Sequence, residues 1–357
     1  MKTIVYKISE TDETVWLKAA GDVLAAGGLV GIPTETVYGL AANALDAEAA
    51  AKIYAAKGRP SDNPLIVHIS DISMLDGLVT EIPDTAQKLA ETFWPGPLTM
   101  IFPKKDVVPY GTTGGLDTVA VRMPSHPVAR KLIGTTGIVL AAPSANTSGR
   151  PSPTRAEHVY EDLNGKIDMI LDDGPVGIGI ESTVVDMTGS VPMILRPGYI
   201  TREMMEAVVG EVRVDPAILG ENRDKNFQPK APGMKYKHYA PKGDLTLVSG
   251  PDEKVVKKIQ ELASEKLAAG FRVGIIATEE TKALYETMEQ GNSRLVVMSI
   301  GTRKDEDTII HNLFDVLRRM DGEEVSYIYS ESFEEGSRGK AIMNRMLKAA
   351  GHQQIYV

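Results

Sequence analysis

The chain has no cysteine among its 357 residues. Disulfides, thiolate metal sites, thiol redox chemistry and a cysteine nucleophile are excluded together. No run approaches about 20 consecutive apolar residues, so no membrane span is expected. The start, Met-Lys-Thr-Ile-Val-Tyr-Lys, lacks the long apolar stretch of a secretory signal, and the expected compartment is the cytoplasm. Positive charge is not in excess: 39 Lys and Arg face 48 Asp and Glu, a net of −9. That balance argues against coating nucleic acid by bulk charge. Hydrophobic residues at 43% and charged residues at 24% are ordinary for a folded globular protein.

Several catalytic signatures are missing as well. There is no G-x-x-x-x-G-K-[ST]; Gly336-Ser-Arg-Gly-Lys-Ala341 has the wrong spacing and no terminal hydroxyl. Gly177-Ile-Gly179 lacks the third glycine of a dinucleotide loop. No H-E-x-x-H and no G-x-S-x-G occur, and the six histidines are scattered, so no metal site is expected. A nucleotide, if used, is held by another architecture.

A chain this long exceeds the roughly 250–300 residues of one core, so two domains are expected. Residues 1–210 mix short apolar runs, each bounded by Gly, Pro, Asn or Asp, with helical segments, which predicts a mixed twisted sheet. Residues 211–243 have weak periodicity and several prolines and read as a linker. Its end, Pro232-Gly-Met-Lys-Tyr-Lys-His-Tyr-Ala-Pro241, is equally compatible with a groove-bound tether and with a lid over a site. Residues 244–357 alternate strand and helix, ending in a helix over Lys340–Ala350, and predict a smaller Rossmann-like α/β domain.

Against these absences, four polar segments sit where strands begin or end. They are Pro33-Thr-Glu-Thr-Val-Tyr-Gly39, Lys57-Gly-Arg-Pro-Ser-Asp-Asn-Pro64, Pro143-Ser-Ala-Asn-Thr-Ser-Gly-Arg-Pro151 and Glu181-Ser-Thr183. Arg122 and Arg196 lie at the ends of two further strands. Lysine as a compact charge and arginine as a flat fork of donors both suit phosphate oxygens. If the loops meet, Lys57, Arg59, Arg122 and Arg196 form a cationic pocket. Taken singly, each segment also reads as an ordinary turn. His68 fits a hydrogen-bonded strand residue as well as a ligand contact. Glu35 fits both a general base and a turn residue. Trp94-Pro-Gly-Pro97 reads as a structural corner.

In combination the segments resemble the YrdC-like family. The motifs are Pro33-Thr-Glu-Thr-Val-Tyr-Gly-Leu40, Lys57-Gly-Arg-Pro60 with Asn63-Pro-Leu65, Trp94–Thr99, Val121-Arg-Met-Pro124, Pro143-Ser-Ala-Asn146 with Ser148-Gly149, and Ser182-Thr-Val-Val185 with Leu195-Arg-Pro-Gly198. The linker and α/β tail resemble the longer, two-domain members. The resemblance implies an α/β fold whose twisted mixed sheet has a concave basic face. It implies synthesis of L-threonylcarbamoyladenylate and pyrophosphate from L-threonine, bicarbonate and ATP, with Mg²⁺ carried on the triphosphate. The product would feed a downstream tRNA-modifying transferase complex, and a direct RNA contact is compatible with this. Lys57, Arg59, Ser144 and Asn146 would be catalytic. ATP would also meet Ser61, Thr118, Ser152, Arg196, Tyr236 and His238. Threonine would meet Thr34, His68, Arg122, Ala142 and Ser182. The competing expectations are a non-catalytic module gripping double-stranded RNA, and a carbamoyl-transfer module, which would come with zinc-finger and acylphosphatase segments.

Overall fold

Asp12 and Asp46 show how local chemistry sets the first helices. The Asp12 side chain accepts from the Thr14 N–H at 2.9 Å, and that of Asp46 from the N–H groups of Glu48 at 2.9 Å and Ala49 at 3.2 Å. The structure, a computed structural model, describes residues 2–219, 238–289, 292–333, 336 and 338–357. They divide into two units. Gly149–Pro151 groups with the residues from His238 onward, and the rest up to Leu219 forms the first unit.

In chain order the first unit runs β1 (Ile4–Lys7), α1 (Glu13–Ala25), β2 (Val30–Ile32), β3 (Gly39–Asn43), α2 (Ala47–Lys57), β4 (Ile66–His68) and α3 (Asp84–Phe93). It continues with β5 (Leu98–Pro103), α4 (Tyr110–Thr113), β6 (Thr118–Arg122), α5 (Pro127–Thr136), β7 (Leu140–Ala141), α6 (Ala156–Leu163) and β8 (Met169–Asp172). It ends with β9 (Thr183–Asp186), β10 (Met193–Arg196), α7 (Arg202–Val209) and β11 (Arg213–Val214). The strands form one mixed sheet in the order β1-β8-β2-β3-β7-β4-β6-β5-β9-β10-β11. Apolar clusters of the described residues pack on it, one including Ile53, Leu65, Phe102 and Val121, another Trp16, Leu24, Ile32 and Leu132, and a smaller one Ile66, Ile101 and Leu195. Burying each such side chain contributes about 1.5–3 kcal/mol.

Two strands depart from the sequence expectation. Gly39-Leu-Ala-Ala-Asn43 is poor in strand-forming residues, yet β3 pairs antiparallel with both β2 and β7; its neighbours, not its propensity, decide. Residues 211–243 were expected as a linker, but Arg213–Val214 pairs in parallel with β10, so the sheet continues past residue 210. The remainder, 220–237, lies outside the described residues.

The second unit comprises β12 (Asp244–Ser249), α8 (Asp252–Ala268), β13 (Val273–Ala277), α9 (Lys282–Glu289), β14 (Leu295–Ser299), α10 (Glu306–Gly322), β15 (Tyr327–Glu331), α11 (Gly339–Ala349) and β16 (Gln354–Tyr356). All its strand pairs are parallel, in the order β14-β13-β15-β12-β16. The expected α/β layering is present. Its last element, however, is strand β16 against β12 rather than a helix. Three residues are too short for a period-2 pattern to register in sequence.

Gly198 shows how tightly the strand ends approach one another. A Cβ there would lie 2.4 Å from the Thr183 nitrogen and 2.8 Å from the Glu181 oxygen. Gly198→Ala is expected to destabilise the first unit by about 1–3 kcal/mol, because backbone has to move. Urea unfolding checks this, and an unchanged midpoint would contradict it.

Candidate active site

The α2 helix delivers Lys57 as its last residue. Gly58 (φ 61°) then takes the left-handed conformation and turns the chain out of the helix. The lysine therefore stays on the buried face of α2, and its Nζ reaches the Pro143–Asn146 segment. It donates to the Asn146 carbonyl at 2.6 Å and to the Ser144 carbonyl. The same segment is tied back to α2 by Ser148 N–H donating to the Lys57 carbonyl at 2.8 Å. It is tied to the Pro33–Gly39 loop by Leu40 N–H to Pro143 O at 2.7 Å and Ala145 N–H to Tyr38 O at 2.8 Å. Three segments far apart in sequence thus share one backbone network.

Arg59 closes on its own loop, Nε to the Asn63 carbonyl at 3.2 Å and Nη2 to the Pro64 carbonyl at 3.0 Å. Leu65 N–H donates to Thr112 O at 3.0 Å. That bond joins this loop to the segment that leads into Thr118, the first residue of β6. Ser61 is exposed on the loop.

The parallel pairing of β4 with β6 and the antiparallel pairing of β5 with β6 set His68, Arg122 and Thr99 in one row. Thr99 Oγ1 lies 2.8 Å from Ser182 Oγ, and Arg196 donates to the Ser182 carbonyl (3.1 Å) and Oγ (3.2 Å). A line therefore runs from His68 through Arg122, Thr99 and Ser182 to Arg196. Ala142 is buried and Ser152 Oγ donates to the Glu181 carboxylate. Asp172-Asp173-Gly174 forms a turn, with Gly174 N–H donating to Asp172 at 3.0 Å.

Arg122 is held by three partners. Its Nε donates to the Gly96 carbonyl at 3.2 Å, so the Trp94-Pro-Gly-Pro97 corner aims the guanidinium. Its Nη1 donates to Thr36 Oγ1 at 2.9 Å and its Nη2 pairs with Glu35 Oε1 at 2.7 Å. Thr34 donates its hydroxyl proton to Val37 O at 2.6 Å, which leaves Thr36 to donate to Thr34 across their 2.9 Å contact. Thr34 thus shapes the loop. Ile178 N–H to Glu35 O (2.7 Å) and Gly179 N–H to Thr36 O (3.0 Å) pin it from outside. Glu35 and Thr36 as the partners of Arg122 are not visible in the sequence, because the arginine lies 86 residues from Thr36.

The four cations are interior groups: Lys57 is 2% exposed, Arg59 9%, Arg122 4% and Arg196 5%. Tyr236 lies outside the described residues. His238 belongs to the second unit, where its ring packs against Tyr239 at 5.5 Å. Among the described residues no three His, Asp or Glu side chains converge as a metal site, and no helix is long and apolar enough to cross a membrane.

A mixed sheet whose strand-end loops bury lysine and arginine beside hydroxyl groups, followed by a parallel-sheet unit, defines a two-domain YrdC-like α/β protein. Residues 22–198 match the Sua5–YciO–YrdC family model, described as telomere recombination. Residues 200–351 match the model described as threonylcarbamoyl-AMP synthase, C-terminal domain. The threonylcarbamoyl-AMP synthase of Pyrococcus abyssi (strain GE5 / Orsay) is 48% identical over 355 residues, covering 99% of this chain and all of the relative. That of Bacillus subtilis (strain 168) is 47% identical over 360 residues, again covering 99% and 100%. The crystal structure of P. abyssi Sua5 complexed with L-threonine superposes with a TM-score of 0.90 at 46% identity, over the full length of both chains. This chain belongs to the threonylcarbamoyl-AMP synthase family.

The His68 ring gives a pH test of the site. Its Nδ1 lies 3.1 Å from the Ile66 carbonyl, which only accepts, so Nδ1 carries the proton. Burial, then the charge of Arg122, pushes its pKa down to about 3. Unfolded, the ring binds a proton near pH 6.5. Its share of stability is therefore full above about pH 6.5 and is lost as pH falls, at about 1.4 kcal/mol per pH unit, until about pH 3. His68→Gln is expected to flatten the stability loss between about pH 6.5 and 5, measured by urea unfolding at each pH. Parallel curves for the two proteins would contradict the assignment.

Proposed function

We infer that this chain joins L-threonine, bicarbonate and ATP into threonylcarbamoyl-AMP, releasing pyrophosphate. The observation that supports this most is the buried cation network of the first unit, in a chain alike over its full length to a Sua5 structure complexed with L-threonine. The reaction needs no side-chain nucleophile. The threonine amine and bicarbonate give an N-carboxylate, and its oxygen attacks the α-phosphorus. What the protein has to supply is orientation, donors aimed at developing negative charge, and exclusion of water from hydrolysable intermediates.

The residues divide by position. Lys57, with Ser144 and Asn146 beside it, and Arg59 on the adjoining loop take the phosphates, with Ser61, Thr118, Ser152 and Arg196 completing the nucleotide side. Arg122 takes the threonine carboxylate, and His68, Ala142, Ser182 and the turn held by Thr34 surround the amino acid. Mg²⁺ would travel on the triphosphate, held by phosphate oxygens and water. The adenylate then serves a tRNA-modifying transferase in the cytoplasm. Gripping an RNA duplex is not favoured, since the four cations are too buried to reach phosphates on an outer surface.

Pyrophosphate release with ATP, bicarbonate and threonine tests the reading. Release should depend on threonine; threonine-independent release would overturn it. Lys57→Ala should lower turnover at least about 100-fold, through loss of charge stabilisation at the phosphates. Arg122→Lys keeps the charge but loses the fork. It should raise the KM for threonine more than that for ATP, and equal effects would remove the residue from the amino-acid side.

A further inference from the structure

Glu35 is a buried carboxylate that the reading above does not use. Its side chain is 13% exposed and lies 2.7 Å from Arg122 Nη2. Both of its oxygens and Arg122 Nη2 are buried, and beyond this charge pair the carboxylate is approached by the backbone N–H groups of Glu35 and Ser125. Arg122 is meanwhile held in place by groups other than Glu35, the Gly96 carbonyl and the Thr36 hydroxyl. The guanidinium can therefore keep its position when its counter-ion is exchanged.

An amino acid carries a carboxylate and an ammonium group a few bonds apart. An arginine–glutamate pair carries the complementary charges side by side. A substrate carboxylate that takes Arg122 leaves Glu35 without its cation and next to the substrate nitrogen. That nitrogen enters as an ammonium and has to lose a proton before it can form a bond to carbon. Resting on the synthase reading, we propose that Glu35 is the proton acceptor for the α-ammonium group of threonine, released for this role when the substrate carboxylate displaces it from Arg122.

The step balances. The ammonium gives one proton to a Glu35 oxygen and becomes an amine. The amine nitrogen forms a bond to the carbon of bicarbonate and loses a second proton. One carbon–oxygen bond of bicarbonate breaks, and its hydroxyl leaves as water with that second proton. The N-carboxylate remains.

The surroundings of Glu35 fit a base that is switched on by substrate. Burial pushes its carboxyl up, and Arg122, helped by the backbone N–H groups of Glu35 and Ser125, more than offsets this, so the paired group lies below the ordinary carboxylate range. Removing the pull of Arg122 leaves burial to raise it. The other titratable groups facing it are His68 on β4 and His126 ahead of α5, both pushed down by burial, and Asp173, which lies 3.5 Å from His126. The neutral imidazoles neither replace Arg122 as counter-ion nor compete for the proton at neutral pH.

The test is the pH profile of kcat/KM for threonine, read as pyrophosphate release, for the wild type, Glu35→Gln and Glu35→Asp in the full-length chain. Glu35→Gln should lower it about 100-fold near pH 7. The deficit should shrink at alkaline pH, above the roughly 8 at which a peptide α-amino group titrates, because the neighbouring carboxylate of a free amino acid holds the ammonium proton more tightly; the KM for ATP stays in place. Glu35→Asp should recover part of the loss. A glutamine variant whose profile runs parallel to the wild type overturns the proposal, as does an equal loss against ATP. If the glutamine variant fails to fold because Arg122 is left unpaired, the aspartate variant decides: a displaced profile supports the role and an unchanged one refutes it. A wild type without threonine-dependent release defeats the synthase reading and this proposal together. A turning-over wild type with a parallel glutamine profile defeats only the assignment of Glu35.

Discussion

Taking a charged side chain out of water costs several kcal/mol unless close partners meet it. The first unit does this at least four times, with Lys57, Arg59, Arg122 and Arg196. That constraint explains much of the loop architecture. Carbonyls of Ser144 and Asn146 turn towards Lys57, those of Asn63 and Pro64 towards Arg59, that of Gly96 towards Arg122 and that of Ser182 towards Arg196. Strand-end backbone is suited to the task, because its carbonyls are no longer committed to the sheet ladder. Cations held by neutral dipoles keep much of their charge for a ligand. Arg122 also has a carboxylate, that of Glu35, close against its guanidinium, and it is the cation assigned to a zwitterion.

The segments that carry this chemistry were legible because turn chemistry and charge coincide in them. Gly58 after Lys57, the prolines around Arg59 and the Ser-Ala-Asn run after β7 announce constrained loops, and cations within constrained loops are unusual enough to notice. What those residues touch was not legible. Thr36 and Glu35 meet Arg122 because β3, which their loop enters, is joined to β6 through β7 and β4, an order that no local pattern encodes. The Trp94–Pro97 corner read as structural, and it is, but its Gly96 carbonyl also orients the arginine. Sheet topology brings the corner into the candidate site.

The same division holds for the fold. Long periodic helices such as α8 and α10 and apolar strands such as β5 and β13 follow from composition. Gly39–Asn43 and Gln354–Tyr356 do not, since their strand character comes from partners supplied by distant chain. The boundary near residue 210 blurred for a related reason: Arg213–Val214 has no pattern of its own and is a strand by virtue of β10.

The central claim is that loops remote in sequence close around one pair of dissimilar ligands. Hydrogen–deuterium exchange of the full chain with L-threonine and a non-hydrolysable ATP analogue tests it most directly. Slowed exchange should appear together in residues 33–40, 57–65, 143–148 and 181–183, with threonine alone acting most on the first and last of these. Protection confined to one loop, or falling wholly in the second unit, would contradict the account.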